Sequence, residues 1–221
     1  MTQLEKYRTQ SVPRYTSYPT APHINPMETA DAYLASLAAL DPAEPVSLYL
    51  HVPFCRQLCW YCGCNMKLAS KEAPIAQYAR TLEKEIRLLA AHLPAPMRIS
   101  HLHWGGGTPT ALAPRDLEML MNAVSDAFII EPDAELAIES DPRTLPDDMI
   151  AMIGELGFTS ASFGVQEIDP TVQLAINRIQ PPEMVARAVE GLREAGVAGS
   201  NFDLIYGLPH QTTETLLRTI D

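Results

Sequence analysis

The sequence predicts an α/β fold in which a parallel sheet forms part of a TIM-type (βα) barrel, preceded by an extended N-terminal arm. Three observations carry that prediction. Five short apolar or β-branched runs alternate with longer helical patterns, Gly and Pro fall at the borders between them, and residues with chemistry to offer recur just after each run. Strand–helix alternation calls for a parallel sheet with right-handed crossovers. In such sheets the working groups gather at the C-terminal ends of the strands.

The elements follow in order. Residues 1–45 hold a Pro- and Tyr-rich stretch, PRYTSYPTAPHINP, read as an extended arm lying on the main body, and a short helical pattern, ADAYLASLAAL. VSLYLHV (46–52) is a strand and IAQYARTLEKEIRLLAAHL (75–93) an amphipathic helix. RISHLHWG (98–105) is the second strand, followed by the helix PRDLEMLMNAVSDAF (114–128). AELAIESD (134–141) is the third strand, and LPDDMIAMIGELG a helix capped by Gly157. SASFGVQ (160–166) and the helix PEMVARAVEGLREAG (182–196) make the fourth unit. NFDLIYG (201–207) opens the fifth, whose helix pattern TTETLLRTID is still running at the last residue. Residues 46–221 therefore read as five βα units of a barrel that is expected to continue, with one sheet edge left open.

Composition narrows the function classes. With 221 residues, 47% of them hydrophobic, the chain has material for a substantial core. Sixteen basic against 27 acidic residues give a net charge of -11, which argues against a nucleic-acid partner because phosphate contacts need a basic face. No apolar run approaches the roughly 18 residues of a membrane span. The opening MTQLEKYRTQ does not read as a signal peptide, so a reducing cytoplasm is the expected compartment.

All four cysteines, Cys55, Cys59, Cys62 and Cys64, lie within the run HVPFCRQLCWYCGCN. The first three follow a C-x3-C-x2-C spacing, and soft sulfur donors gathered on one loop suit a thiophilic centre. Three thiolates on a four-iron, four-sulfur cluster leave one iron open to a small molecule, whereas four would close it. A structural zinc site remains the alternative, although zinc ribbons favour two C-x2-C pairs on separate hairpins.

The other strand-end motifs point the same way. Gly105, Gly106 and Gly107, followed by Thr108, make a turn without side chains that lets backbone amides approach a ligand, and no Lys-Ser/Thr follows to make it a nucleotide P-loop. Glu139 in AIESD offers a carboxylate for ribose hydroxyls or a cationic centre, and Gln166 in FGVQ an amide with two hydrogen-bonding ends. Arg178, taken alone, reads as a surface charge. Asp203 lies inside an apolar strand, where a carboxylate needs a partner. His51, His101 and His103 flank strands and are not taken as ligands.

YLHVPFCRQLCWYCGCN, HWGGGTPT, IESDPR, FGVQE, NRIQ and NFDLIYGLPHQT together resemble the radical S-adenosylmethionine superfamily. Within it, they are most similar to the oxygen-independent coproporphyrinogen III oxidase family, with the match beginning at RYTSYPTA and covering nearly the whole chain. The resemblance implies that Cys55, Cys59 and Cys62 hold a 4Fe-4S cluster, and that Cys64 marks the subfamily without binding iron. S-adenosylmethionine would close the open iron, with two such molecules side by side. The first would draw on Tyr49, Gly106, Glu139 and Arg178, and the second on Tyr61, Gly63, Gly107, Thr108, Gln166 and Asp203. The implied activity is anaerobic oxidative decarboxylation of two propionates of coproporphyrinogen III by a 5'-deoxyadenosyl radical, giving protoporphyrinogen IX in haem biosynthesis. A reduced flavodoxin- or ferredoxin-type electron donor, a monomeric state, and a sixth unit with a C-terminal domain beyond this length are implied as well. Arg14 in the arm is a candidate clamp for the substrate carboxylates. A haem chaperone on the same scaffold is the nearest alternative, but such proteins usually lack the Gly-Cys-Asn continuation and the RYTSYPTA arm.

Overall fold

The computed structural model describes residues 23–26 and 29–221. The RYTSYPTA arm and Arg14 lie outside the described residues. The chain divides into two units after residue 37, and helix α1 (Asp31–Ala38) ends one residue past that division. All that follows concerns the second unit.

Five strands, β1 (Val46–Val52), β4 (Arg98–Gly106), β5 (Ile129–Ser140), β6 (Ser160–Gln166) and β7 (Gly199–Leu204), form one parallel sheet with neighbours in chain order. Each strand adds to the outer edge of the last. That is the winding of a barrel segment; a doubly wound sheet would reverse its order midway. Two-residue strands β2 (Phe54–Cys55) and β3 (Lys67–Leu68) pair in parallel beyond the end of β1.

Helices α2 (Glu72–Ala90), α3 (Pro114–Ala127), α4 (Asp147–Glu155), α5 (Pro170–Ala175), α6 (Pro182–Glu194) and α7 (Thr213–Ile220) fill the connections. Their buried residues recur at helical spacing. Ile75, Ala79, Leu82 and Ile86 of α2, and Leu117, Leu120, Met121 and Val124 of α3, face the sheet core around Ile99, Leu102, Trp104 and Ile138. Removing one such aliphatic side chain to Ala typically costs about 2–5 kcal/mol, because the cavity left behind collapses only partly.

Several boundaries differ from the sequence expectation. Helix α2 starts at Glu72, three residues before the apolar periodicity becomes visible at position 75. Strand β5 starts at Ile129, because the register shift between Ile99 and His101 of β4 absorbs the stretch around Pro132 as a bulge. Strand β7 runs from Gly199 to Leu204, not 201–207. The chain turns after it, with Ile205 N–H donating to the Gln166 carbonyl at 3.2 Å and Gly207 at φ 80°. The helix α5 and the β2–β3 pair have no local signature long enough to announce them.

Candidate functional site

The cysteine loop leaves β1 and is fastened at several points. Ala69 N–H donates to the Cys55 carbonyl at 3.0 Å, and a ring nitrogen of His51 lies 2.9 Å from the Asn65 carbonyl. On the far side, Trp60 N–H donates to the Ile176 carbonyl at 3.0 Å and the Asn177 amide to the Leu58 carbonyl at 2.7 Å. The loop is thus tied both to its own strand and to the turn after α5.

Glycine allows it to lie this close. A Cβ on Gly107 would stand 2.9 Å from the Phe54 carbonyl oxygen and 3.0 Å from Cys55 Sγ. Gly106, at φ 123°, would meet the Val52 carbonyl at 2.8 Å. The amides of this turn are engaged within the protein: Gly106 N–H donates to Glu139 Oε2 at 3.1 Å and Gly107 N–H to the Val52 carbonyl at 2.9 Å. The turn lets the cysteine loop pack against it, and its donors hold Glu139 and the start of that loop.

These strand ends surround a cavity of about 150 Å3. Cys55, Cys59, Cys62 and Cys64 line it, with Tyr61, Gly106, Gly107, Thr108, Glu139, Gln166, Arg178 and Asp203. Tyr49 and Gly63 are not among its lining residues. Tyr49 stands beside it, with its ring stacked on His103 at 5.7 Å and its hydroxyl 3.0 Å from His51 Nδ1. His103 in turn lies 3.3 Å from Glu139 Oε1.

Two sequence expectations are reversed. Arg178 is buried, its Nε and Nη2 donating to the Gly164 carbonyl at 2.9 and 2.6 Å and its Nη1 to Cys59 Sγ at 3.4 Å. Asp203, expected to be enclosed in an apolar strand, is exposed, because residues Asn201 to Leu204 of the outer strand β7 are all exposed, and it accepts a bond from Asn201 at 3.2 Å. Gln166 adopts φ 68°, unusual for a residue with a side chain, where β6 shifts register against β7. Its buried Oε1 has no hydrogen-bond partner.

Sequence reading missed Gln57, Met66, Ser140, Asp141, Arg143, Ser162 and Gly164, which also line the cavity. Asp141 and Arg143 were visible in ESDPR directly after a strand. The Arg143 guanidinium donates to Asp141 at 2.6 Å, to Gln57 at 3.1 Å and to Cys59 Sγ at 3.4 Å. Burial disfavours the charge on Asp141, yet Arg143 and Arg178 hold its carboxyl below the ordinary value. Burial pushes the Cys55 thiol up, with the Thr108 hydroxyl, 3.4 Å away, as partial compensation. Burial and a hydrogen bond with Cys62 raise Cys64 to about 11. Tyr61, raised chiefly by burial, packs with Val172, Ile176 and Leu208.

All four cysteines are free of disulfides and line the cavity, and Cys55, Cys59 and Cys62 have the sequence spacing an iron–sulfur cluster uses. Two guanidinium groups directed at one sulfur suit thiolate charge, and an unpartnered buried amide oxygen suits a polar ligand. The donor set fits a cluster with a small cofactor. Among the described residues no three His, Cys, Asp or Glu side chains are arranged to hold a single metal ion.

A parallel barrel segment carrying this three-cysteine loop defines a radical S-adenosylmethionine protein. Residues 49–221 match the radical SAM superfamily, and the chain belongs to it. Within that superfamily it is 51% identical over 214 residues to an oxygen-independent coproporphyrinogen III oxidase of Bradyrhizobium diazoefficiens, covering 97% of this chain and 48% of that one. The corresponding enzyme of Synechocystis sp. is 39% identical over 218 residues, with 98% and 47% covered. Among solved structures, the coproporphyrinogen III oxidase of Escherichia coli, described as a radical SAM enzyme, superposes with a TM-score of 0.87 at 40% identity, over 98% of this chain and 48% of that one. A radical SAM methyltransferase of Kitasatospora setae shares the fold at a TM-score of 0.53 and 15% identity, with 79% and 34% covered. The chain spans about half the length of the curated relatives it matches. Among the described residues no helix is long and apolar enough to cross a membrane.

Proposed function

We propose that this chain is the cluster- and cofactor-holding part of an enzyme that oxidatively decarboxylates coproporphyrinogen III to protoporphyrinogen IX in haem biosynthesis, in the cytoplasm. The observation that carries the reading is the convergence of Cys55, Cys59 and Cys62 with Glu139, Gln166 and Arg178 on one cavity at the strand ends. The likeness to the named oxidases supports the choice of substrate.

Cys55, Cys59 and Cys62 would hold a 4Fe-4S cluster, which when bound supplies the electron that cleaves the sulfonium of S-adenosylmethionine. Glu139, fixed by Gly106 N–H and His103, keeps lone pairs free toward the cavity for the cofactor's ribose or amino group. Gln166 presents its unsatisfied Oε1 to a donor on the ligand. The remaining assignments are Tyr49, Gly106 and Arg178 toward a first cofactor molecule, and Tyr61, Gly63, Gly107, Thr108 and Asp203 toward a second. At each of two propionates a hydrogen atom, carbon dioxide and one electron leave, the electron passing to a one-electron acceptor and a vinyl group remaining. A reduced flavodoxin- or ferredoxin-type protein is the proposed donor.

Anaerobic reconstitution with iron and sulfide tests this. About four irons per chain, visible charge-transfer absorption and binding of S-adenosylmethionine are expected. Cys55→Ser, Cys59→Ser and Cys62→Ser should each lose the iron, while Cys64→Ser keeps it. Uptake of a single zinc, with no response to S-adenosylmethionine, would sink the reading.

A further inference from the structure

The cysteines of the loop are unequally served. Cys55 has one neutral partner, the Thr108 hydroxyl at 3.4 Å. Cys59 is buried and accepts from two guanidinium groups, Arg143 Nη2 and Arg178 Nη1, each at 3.4 Å.

Arg143 is built into this position. Its side chain is only 5% exposed. Asp141 N-caps the short turn Pro142–Thr144 by accepting from Arg143 N–H at 3.1 Å, and the same carboxylate takes the guanidinium through Nε at 2.9 Å and Nη2 at 2.6 Å. The remaining arm, Nη1, reaches Gln57 Oε1 at 3.1 Å. One side chain thus joins the end of β5 to two residues of the cysteine loop.

The charges do not balance among these three residues. Arg143 and Arg178 face a single carboxylate, Asp141, at 2.6 and 3.6 Å, which leaves one positive charge over in a largely enclosed place. Buried charge is costly unless it is matched, and the acceptor both guanidinium groups reach is Cys59 Sγ, which as a cluster ligand would carry the matching negative charge. Positive charge and N–H donors at a cluster sulfur also favour the reduced, more negative state.

We propose that Arg143 is a positioning residue which orients Cys59 toward the cavity and, through its charge and hydrogen bond at that sulfur, raises the reduction potential of the cluster bound there. The inference rests on the cluster reading above. Its consequence is functional. A one-electron donor meets a cluster whose potential is set partly by the turn after β5.

The test compares Arg143→Lys with Arg143→Gln in the full chain, reconstituted anaerobically, with circular dichroism as a check on folding. Iron content is measured first, then midpoint potential by reductive titration. Arg143→Gln should lower the potential by about 59 mV or more, a tenfold change in the one-electron equilibrium. Arg143→Lys, which keeps the charge, should recover more than half of that difference. If Arg143→Gln loses the cluster while Arg143→Lys retains it, the cation is again shown to be needed at Cys59. Equal potentials in wild type and Arg143→Gln, equal shifts in both variants, or loss of the cluster from both while the fold is kept would overturn the proposal. Failure of the wild-type chain to take up a cluster would instead overturn the reading on which it rests.

Discussion

Glu139 and Glu167 stand at the ends of neighbouring strands and have opposite surroundings. Glu139, in β5, is 40% exposed and holds two internal contacts, Gly106 N–H at 3.1 Å and His103 at 3.3 Å. Glu167, just past β6, is fully buried, and five donors end on its carboxylate. Two are the backbone N–H groups of Ile168 and Asp169; the others are Gln211 and the hydroxyls of Thr215 and Thr219. Through them Glu167 ties the end of β6 to α7. Its backbone carbonyl also accepts from Gln173, whose side chain reaches on to Gln180. A carboxylate whose lone pairs are consumed inside the protein is a structural fastener. One with lone pairs left over at a cavity wall is available to a ligand. Motif position alone does not separate the two.

The largest effect that would test this contrast is on Glu167. Glu167→Ala removes a charged acceptor from five donors, each hydrogen bond to a charged group being worth about 1.5–3 kcal/mol, so a loss of at least about 3 kcal/mol is expected in urea denaturation even though four of the five donors keep a second acceptor. A loss below about 1 kcal/mol would break the comparison. Next comes Glu139→Gln. It should change stability by less than about 1 kcal/mol while weakening S-adenosylmethionine binding by calorimetry about tenfold or more, as loss of a charge-assisted contact predicts. Unchanged binding would remove Glu139 from the cofactor site.

The smallest effect is in pH dependence. Burial opposes the Glu167 charge, but hydrogen bonds from Thr219, Gln211 and the backbone of Asp169 and Ile168 hold its carboxyl below the ordinary value. A depressed folded-state value means that the stabilisation is fully present above the unfolded value, about 4.3, and fades as pH falls through the folded one. The stability gap between wild type and Glu167→Gln should therefore narrow below about pH 4. A gap that stays constant there would show that the charge itself contributes nothing.

Much of this was legible residue by residue. The cysteine spacing, the position of Gly105 to Gly107, and Glu139 and Gln166 at strand ends are local facts, and the structure gathers most of them on one cavity. Arg178 was misread because nothing near it in sequence shows that it turns inward to Cys59, 119 residues away. Asp203 was misread for the opposite reason: an apolar pattern implies burial only if something covers the strand, and β7 is the outermost of the five. Arg143 and Glu167 were passed over inside motifs already noticed, since a charge does not announce how many partners it will find.

The sequence by itself determined the alternation of strands and helices, the core-facing stripes and the thiolate chemistry. Periodicity and ligand spacing are properties of consecutive residues and need no distant partner. Only the tertiary structure decided which charges are paired, which lone pairs are spent, and that two arginines converge on Cys59. Those outcomes depend on contacts between segments 84 to 119 positions apart, and the energy of a buried charge is set by all the groups around it, not by its neighbours in the chain.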